Sequence, residues 1–224
     1  MADRIEVHHL IILDRSGSMC NITESTISGF NEVVEQIEED AKKFEDEQEH
    51  LVSLVVFNGN VETAIWMESA NSIDPLTTST YIPTGGTALY DAITGSLNQM
   101  KTELATKLKN DEAKVNVVVI TDGHNTASKE FTQADAKKQV DELNEGDDSP
   151  WLFQFIGANI DTDKEAKSLG FDVSMSYMPN DIGTQQAFSK LSETRGAYSE
   201  SISRGMSKSA IVTEAEKLLK DEED

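Results

Sequence analysis

The chain has 224 residues, with 41 Asp and Glu against 19 Lys and Arg and a formal net charge of −22 at pH 7. That excess repels a phosphate backbone and anionic lipid at long range, which argues against nucleic acid and against a membrane surface as partners. The length suits one large α/β domain, and the single cysteine, Cys20, permits no intrachain disulfide and points to a reducing, cytoplasmic setting.

The first residues, "MADRIEVHHLIIL", lack the basic start, long apolar segment and cleavage site of a secretory signal, so the chain reads as soluble and complete. Their β-branched run predicts a strand at about residues 6 to 13. Ile27, Phe30, Val34, Ile37, Ala41 and Phe44 then recur at three- and four-residue steps, one face of a helix whose other face is acidic. "LVSLVVFNGNVETAIWM" reads as two antiparallel strands joined at Asn58-Gly59, residues that tolerate the positive φ of a tight hairpin turn. After a polar loop, Leu89, Ile93, Leu97, Met100, Leu104 and Leu108 mark a second helix. "KVNVVVITD" follows as a nearly continuous apolar run, the pattern of a central strand covered on both faces.

A helix near 133 to 145 and the strand "WLFQFIGA" come next. A short helix is opened by Thr162 and Glu165 as a capping box and closed by Gly170, and "FDVSMSY" is the sixth strand. From Asp181, Phe188, Leu191, Arg195, Tyr198 and Ile202 share a helical stripe, weakened by Gly183, Gly196 and Gly205 and ending in an acidic tail expected to fray. Strands alternating with helices require right-handed crossovers. The expected fold is therefore α/β: a doubly wound, Rossmann-like three-layer sandwich around a six-stranded, mostly parallel sheet in the order 3-2-1-4-5-6, with one antiparallel edge strand.

In that order strands 1 and 4 are neighbours at the switch point, where such sheets open a crevice at the carboxyl ends of their strands. Asp14 ends strand 1 and Asp122 ends strand 4, so two carboxylates from distant parts of the chain meet there. Ser16 and Ser18 add hydroxyls beside them, and "PTGGTALYD" brings Thr87 behind two glycines that allow close backbone approach. Carboxylates repel one another without a compensating charge, and a set of hard oxygens suits Mg²⁺ or Mn²⁺. Taken singly, each residue has a commoner role: turn or cap for the serines, helix N-cap for Thr87, turn for Asp122-Gly123. Asp91, one turn into the helix after Thr87, fits the helix dipole better than indirect support of an ion. Met19, Cys20, Asn21 and His124 flank the set as rim or ordinary loop residues, and His8 and His9 point to opposite faces of their strand, so they do not share a metal.

"DRSGS", "TGGT" and "TDG", in this order and each at a strand end, resemble the metal-ion-dependent adhesion site (MIDAS) of von Willebrand factor A-type (VWA) domains, the group that includes integrin inserted domains. The similarity covers about residues 5–180, and the chain looks like an intracellular bacterial or phage-type member. The resemblance implies a VWA domain over residues 1–180 with a C-terminal helical extension over 181–224. It implies a complete site in which Ser16, Ser18 and Thr87 approach Mg²⁺ through hydroxyls and Asp14 and Asp122 bind it directly or through water. Mn²⁺ is the alternative ion, and Ca²⁺ suits the set less. A protein partner's Asp or Glu completes the shell, making the expected function that of a metal-dependent protein-binding module. In integrin-like members the C-terminal helix shifts with the metal loops, so the tail after Asp181 is expected to respond to occupancy.

Two other classes are weighed against this. A scaffold subunit would keep the metal for stability alone. A Mg²⁺-dependent phosphoryl-transfer enzyme of the haloacid-dehalogenase type would want a second aspartate where Ser16 stands, and no phosphate loop, dinucleotide turn, zinc helix or nucleophile elbow is present. The chain is expected not to be an enzyme.

Overall fold

The computed structural model describes residues 4–220; residues 221–224 of the expected frayed tail lie outside them. Six strands, β1 (Ile5–Asp14), β2 (Gln48–Phe57), β3 (Val61–Ser69), β4 (Ala113–Thr121), β5 (Trp151–Gly157) and β6 (Val173–Ser176), form one sheet. Its order is β3-β2-β1-β4-β5-β6, and every neighbouring pair is parallel except β2 with β3. The helices are α1 (Thr23–Lys43), α2 (Leu89–Glu103), α3 (Ala105–Lys109), α4 (Gln133–Leu143), α5 (Thr162–Leu169), α6 (Asp181–Ser203) and α7 (Lys208–Lys220). Among the described residues no helix is long and apolar enough to cross a membrane.

Strand alternation distributes β1 between two core layers. Leu10 and Ile12 pack with Leu97 of α2, Val140 of α4 and Leu169 of α5, whereas Ile11 and Leu13 pack with Phe30 and Ile37 of α1 and Leu191 of α6. Both faces of the central strands are thus covered, which is why they read as unbroken apolar runs.

Two local expectations are corrected. Neither Asn58 nor Gly59 has a positive φ. The connection is three residues long: the Asn58 N–H donates to Asn60 O at 2.9 Å, and the Asn58 side-chain oxygen accepts the Asn60 N–H at 3.0 Å, so the side chain closes a turn that needs no left-handed residue. The left-handed residue of this hairpin is instead Met67 (φ 51), beside register shifts in the pairing of β2 with β3. At α5 the cap is Asp161, whose carboxylate accepts the Lys164 N–H, while Thr162 is buried as the first helical residue. A capping box does form, but at Thr132 and Asp135 of α4. Gly170 closes α5 as expected, with φ +80°.

The C-terminal stripe buries Phe188, Leu191, Arg195 and Tyr198, and α6 runs unbroken through Gly183 and Gly196. It packs along α1, with Phe188 set against Gly29, where an added Cβ would lie 2.3 Å from the ring. Gly29→Ala is therefore expected to destabilise the fold by about 1–2 kcal/mol in urea unfolding, because overpacking outweighs the gain in helix propensity. A stabilised variant would show that the helices do not cross this tightly.

Beneath α6, His9 of β1 and His50 of β2 are buried, with His9 Nε2 and His50 Nδ1 3.0 Å apart and the rings stacked at 5.3 Å. Arg195 of α6 and Asp40 of α1 act on them from the packed helices. Burial pulls His9 well below the usual imidazole value and His50 down to about 4. A group depressed on folding stabilises the fold above its unfolded value near 6.5 and loses that contribution as pH falls through the folded one. Acidification from 6.5 to 4 should thus remove on the order of 3 kcal/mol through His50 alone. His50→Asn, which keeps a polar atom at the Nδ1 position but cannot take this proton, should flatten that part of a denaturant-stability profile against pH; an unchanged slope would refute the assignment.

Candidate metal centre

The register of β1 with β4 sets the site. Leu13 pairs with Ile120, so Asp14 stands beside Thr121 and Asp122 projects one residue beyond. Asp14 is 0% and Asp122 3% exposed. The Asp14 carboxylate accepts the Ser16 N–H and the Thr121 hydroxyl, each at 2.6 Å, and its carbonyl accepts the Tyr81 hydroxyl at 2.5 Å.

After Asp14 the chain turns into a 3-10 segment, Gly17–Ile22, whose N-cap residue Ser16 makes no side-chain cap. Its hydroxyl instead lies 3.1 Å from that of Ser18, and Ser18 Oγ donates to Asp122 Oδ1 at 2.5 Å. The loop before α2 is stitched on by backbone: Gly17 N–H to Gly85 O at 3.1 Å, Thr84 N–H to Arg15 O at 2.9 Å, and Ala88 N–H to Asn58 O at 2.6 Å. Gly85 takes φ +76°, which a residue with a side chain rarely adopts. Thr87 is buried, and it does not cap α2, whose N-cap is Ala88 without a side-chain bond. A Cβ built on Gly123 would lie 4.0 Å from both Ser18 Oγ and Thr87 Oγ1, so hydroxyls from two separate loops flank the segment that follows Asp122.

All five residues singled out by sequence are thus brought to one end of the sheet. Burial pushes the Asp14 carboxyl up to about 6, with the negative charge of Asp122 adding to the effect, and burial also raises Asp122. Two buried carboxylates of like sign, backed by hydroxyls, form a donor set that fits a hard divalent cation. Among the described residues no group of three or more His, Cys, Asp or Glu is placed to hold a metal ion.

Thr121 and Tyr81, which orient Asp14, were not legible beforehand; the threonine of "TDG" is the one signal that pointed near them. Of the expected rim, Cys20, Asn21 and His124 are exposed, whereas Met19 is fully buried and belongs to the core. The Asp91 carboxylate is turned to other partners: it accepts the N–H groups of Lys129, Glu130 and Phe131 at 2.8, 3.1 and 2.8 Å.

The family model of the von Willebrand factor type A domain matches residues 10–191. Among solved structures, the PilB minor pilin from Streptococcus sanguinis aligns with a TM-score of 0.62 at 11% identity, over 88% of this chain and 62% of that one. A von Willebrand factor type A protein from Catenulispora acidiphila gives 0.55 at 14% identity, over 86% and 43%. Proximal thread matrix protein 1 from the mussel byssus, in a structure with a zinc-occupied MIDAS motif, gives 0.56 at 13% identity, over 86% and 46%. At these identities the likeness is one of fold, and the chain spans between 43% and 62% of the length of these three proteins. No curated protein matches the chain.

Proposed function

The chain belongs to the von Willebrand factor type A domain family, and from that membership we propose that it is a divalent-metal-dependent protein-binding module with a complete MIDAS. Asp14, Ser16, Ser18, Thr87 and Asp122 would hold Mg²⁺, or Mn²⁺ in its place. When bound, the ion supplies a local positive field that attracts a carboxylate which the protein's own charge of −22 would otherwise repel. The partner is therefore a protein offering an exposed Asp or Glu, and the role assigned here is capture, with no catalytic step.

One observation carries this reading: two buried carboxylates of the same sign are held together with hydroxyls from two further loops, a costly arrangement that a cation would compensate. The chain's own groups prepare it. Thr121 and the Ser16 N–H fix Asp14, Ser18 orients Asp122, and the glycine-containing loop sets Thr87 alongside. A pulldown in Mg²⁺ against EDTA tests the proposal, with Asp14→Ala as the control. Partners retained in Mg²⁺, and lost both in EDTA and with the variant, are the expected result. Equal capture by a folded Asp14→Ala protein would end it.

A further inference from the structure

We propose that the segment following Asp122, through Phe131, is a strap whose docking on α2 through Asp91 and Ser128 sets how tightly the site takes its metal ion. This rests on the metal-binding reading above and assigns Asp91 and Ser128 as positioning residues that touch no ligand themselves.

Three sets of bonds define the strap. Asp91 receives three successive N–H groups, those of Lys129, Glu130 and Phe131. The Ser128 hydroxyl accepts the N–H groups of Tyr90 and Asp91 at 3.1 and 3.2 Å, closing the start of α2 from another part of the chain, and donates to Asn125 Oδ1 at 2.6 Å. Thr126 accepts the Thr87 N–H on its hydroxyl at 3.0 Å, while Thr87 O accepts the N–H groups of Thr126 and Ala127 at 2.9 and 3.0 Å. A Cβ on Gly86 would come within 3.2 Å of both Thr126 Oγ1 and Ala127 Cβ, so the strap lies against the loop that carries Thr87.

Two of the five oxygen-bearing residues therefore depend on one docking event. Asp122 heads the strap, and Thr87 is clamped by its middle. An undocked strap leaves Asp122 with only its Ser18 bond and Thr87 with only the backbone ties of its own loop, and the ion must then restore the lost order on binding. The apparent affinity is reduced by the fraction of molecules in which the strap is docked. Reciprocity follows: whatever the strap contributes to ion binding, the ion returns as protection of the strap. Asp91→Asn keeps the volume but removes the charge that strengthens three hydrogen bonds and replaces one of the two accepting oxygens by an NH2 donor.

Mn²⁺ titration calorimetry on the full chain, with hydrogen exchange of residues 126–131 and metal-free thermal unfolding, tests this for the wild type, Asp91→Asn and Ser128→Ala. In the wild type, saturating Mn²⁺ should slow exchange of the 129–131 amides. In Asp91→Asn those amides should exchange faster without metal, Mn²⁺ affinity should fall about tenfold, and saturating Mn²⁺ should restore protection. Ser128→Ala should shift affinity the same way by a smaller factor, and it decides the matter if Asp91→Asn does not fold. Variants that melt lower yet bind Mn²⁺ like the wild type would make Asp91 and Ser128 structural only and overturn the proposal. A wild type that binds no Mn²⁺ would instead overturn the metal-site reading itself.

Discussion

Asp14→Asn is expected to lower affinity for Mn²⁺ or Mg²⁺ at least a hundredfold while leaving the metal-free protein as stable as the wild type at pH 7, or more so. The two effects have opposite signs for one reason. Folding buries the Asp14 carboxyl completely and raises it from 3.8 to about 6, so at pH 7 its charged form opposes folding by on the order of 3 kcal/mol. That penalty is relieved as pH falls below 6 and is gone below the unfolded value of 3.8. Asparagine removes the charge and keeps Oδ1 to accept the Ser16 N–H, while its NH2 replaces the oxygen that accepted the Thr121 hydroxyl, which can turn to accept from that NH2 and donate to Gly123 O, 3.1 Å away. Alanine leaves the Ser16 N–H without its acceptor at about 1–3 kcal/mol and opens a cavity, which makes it the poorer probe of stability. Calorimetric titration reads the affinity, and urea unfolding with and without ion reads the linkage. An ion present at a hundred times its Kd should stabilise the wild type by about 2.7 kcal/mol and the variant hardly at all. A variant that keeps the ion-dependent stabilisation would place the cation somewhere other than the crevice between β1 and β4.

Asp40→Ala is expected to cost about 3–5 kcal/mol in urea unfolding, the largest stability loss predicted for a single substitution here. Asp40 of α1 holds Arg195 of α6 through Oδ2 and Nη1 at 2.6 Å, and the arginine side chain is 3% exposed. Truncating the acid leaves a buried guanidinium without its counter-ion, beside the two buried histidines on which its charge also acts. The double variant Asp40→Leu with Arg195→Met should recover most of the loss, since replacing both ions by apolar groups of similar size removes the unpaired charge. A loss under about 1 kcal/mol would mean that the pair behaves as a solvated surface bridge. The same contact, with Gly29 against Phe188 and the Gln48 side-chain amide donating to Ser199 O at 2.8 Å, ties α6 to the body of the domain.

Much of the fold was legible in order along the chain. Apolar runs of strand length, such as "VNVVVIT", and three- or four-residue steps such as Phe30, Val34 and Ile37 report which residues face a core, and right-handed crossover then leaves few sheet orders to choose from. The five oxygen-bearing residues were legible for a related reason: each closes or follows a strand or precedes a helix, and parallel strands deliver their ends to one side of the sheet. The misreadings at Asn58-Gly59 and Thr162 are of another kind. Both sequences are compatible with a common local motif, but another one forms: the Asn58 carbonyl is taken by the distant Ala88 N–H, whereas at α5 the competitor is local, Asp161 one residue earlier presenting its carboxylate to the Lys164 N–H.

By itself, then, the sequence determined the layers, the strand order and the gathering of Asp14, Ser16, Ser18, Thr87 and Asp122, because periodicity and strand direction are local properties that propagate to the whole sheet. Only the tertiary structure decided which group each buried polar side chain would meet: Thr121 on Asp14 across 107 residues, Arg195 on Asp40 across 155, and the strap on Asp91 across about 40. A buried polar group must find a partner wherever the packed chain presents one, and that partner is chosen by distances of a few ångströms that composition and spacing do not encode.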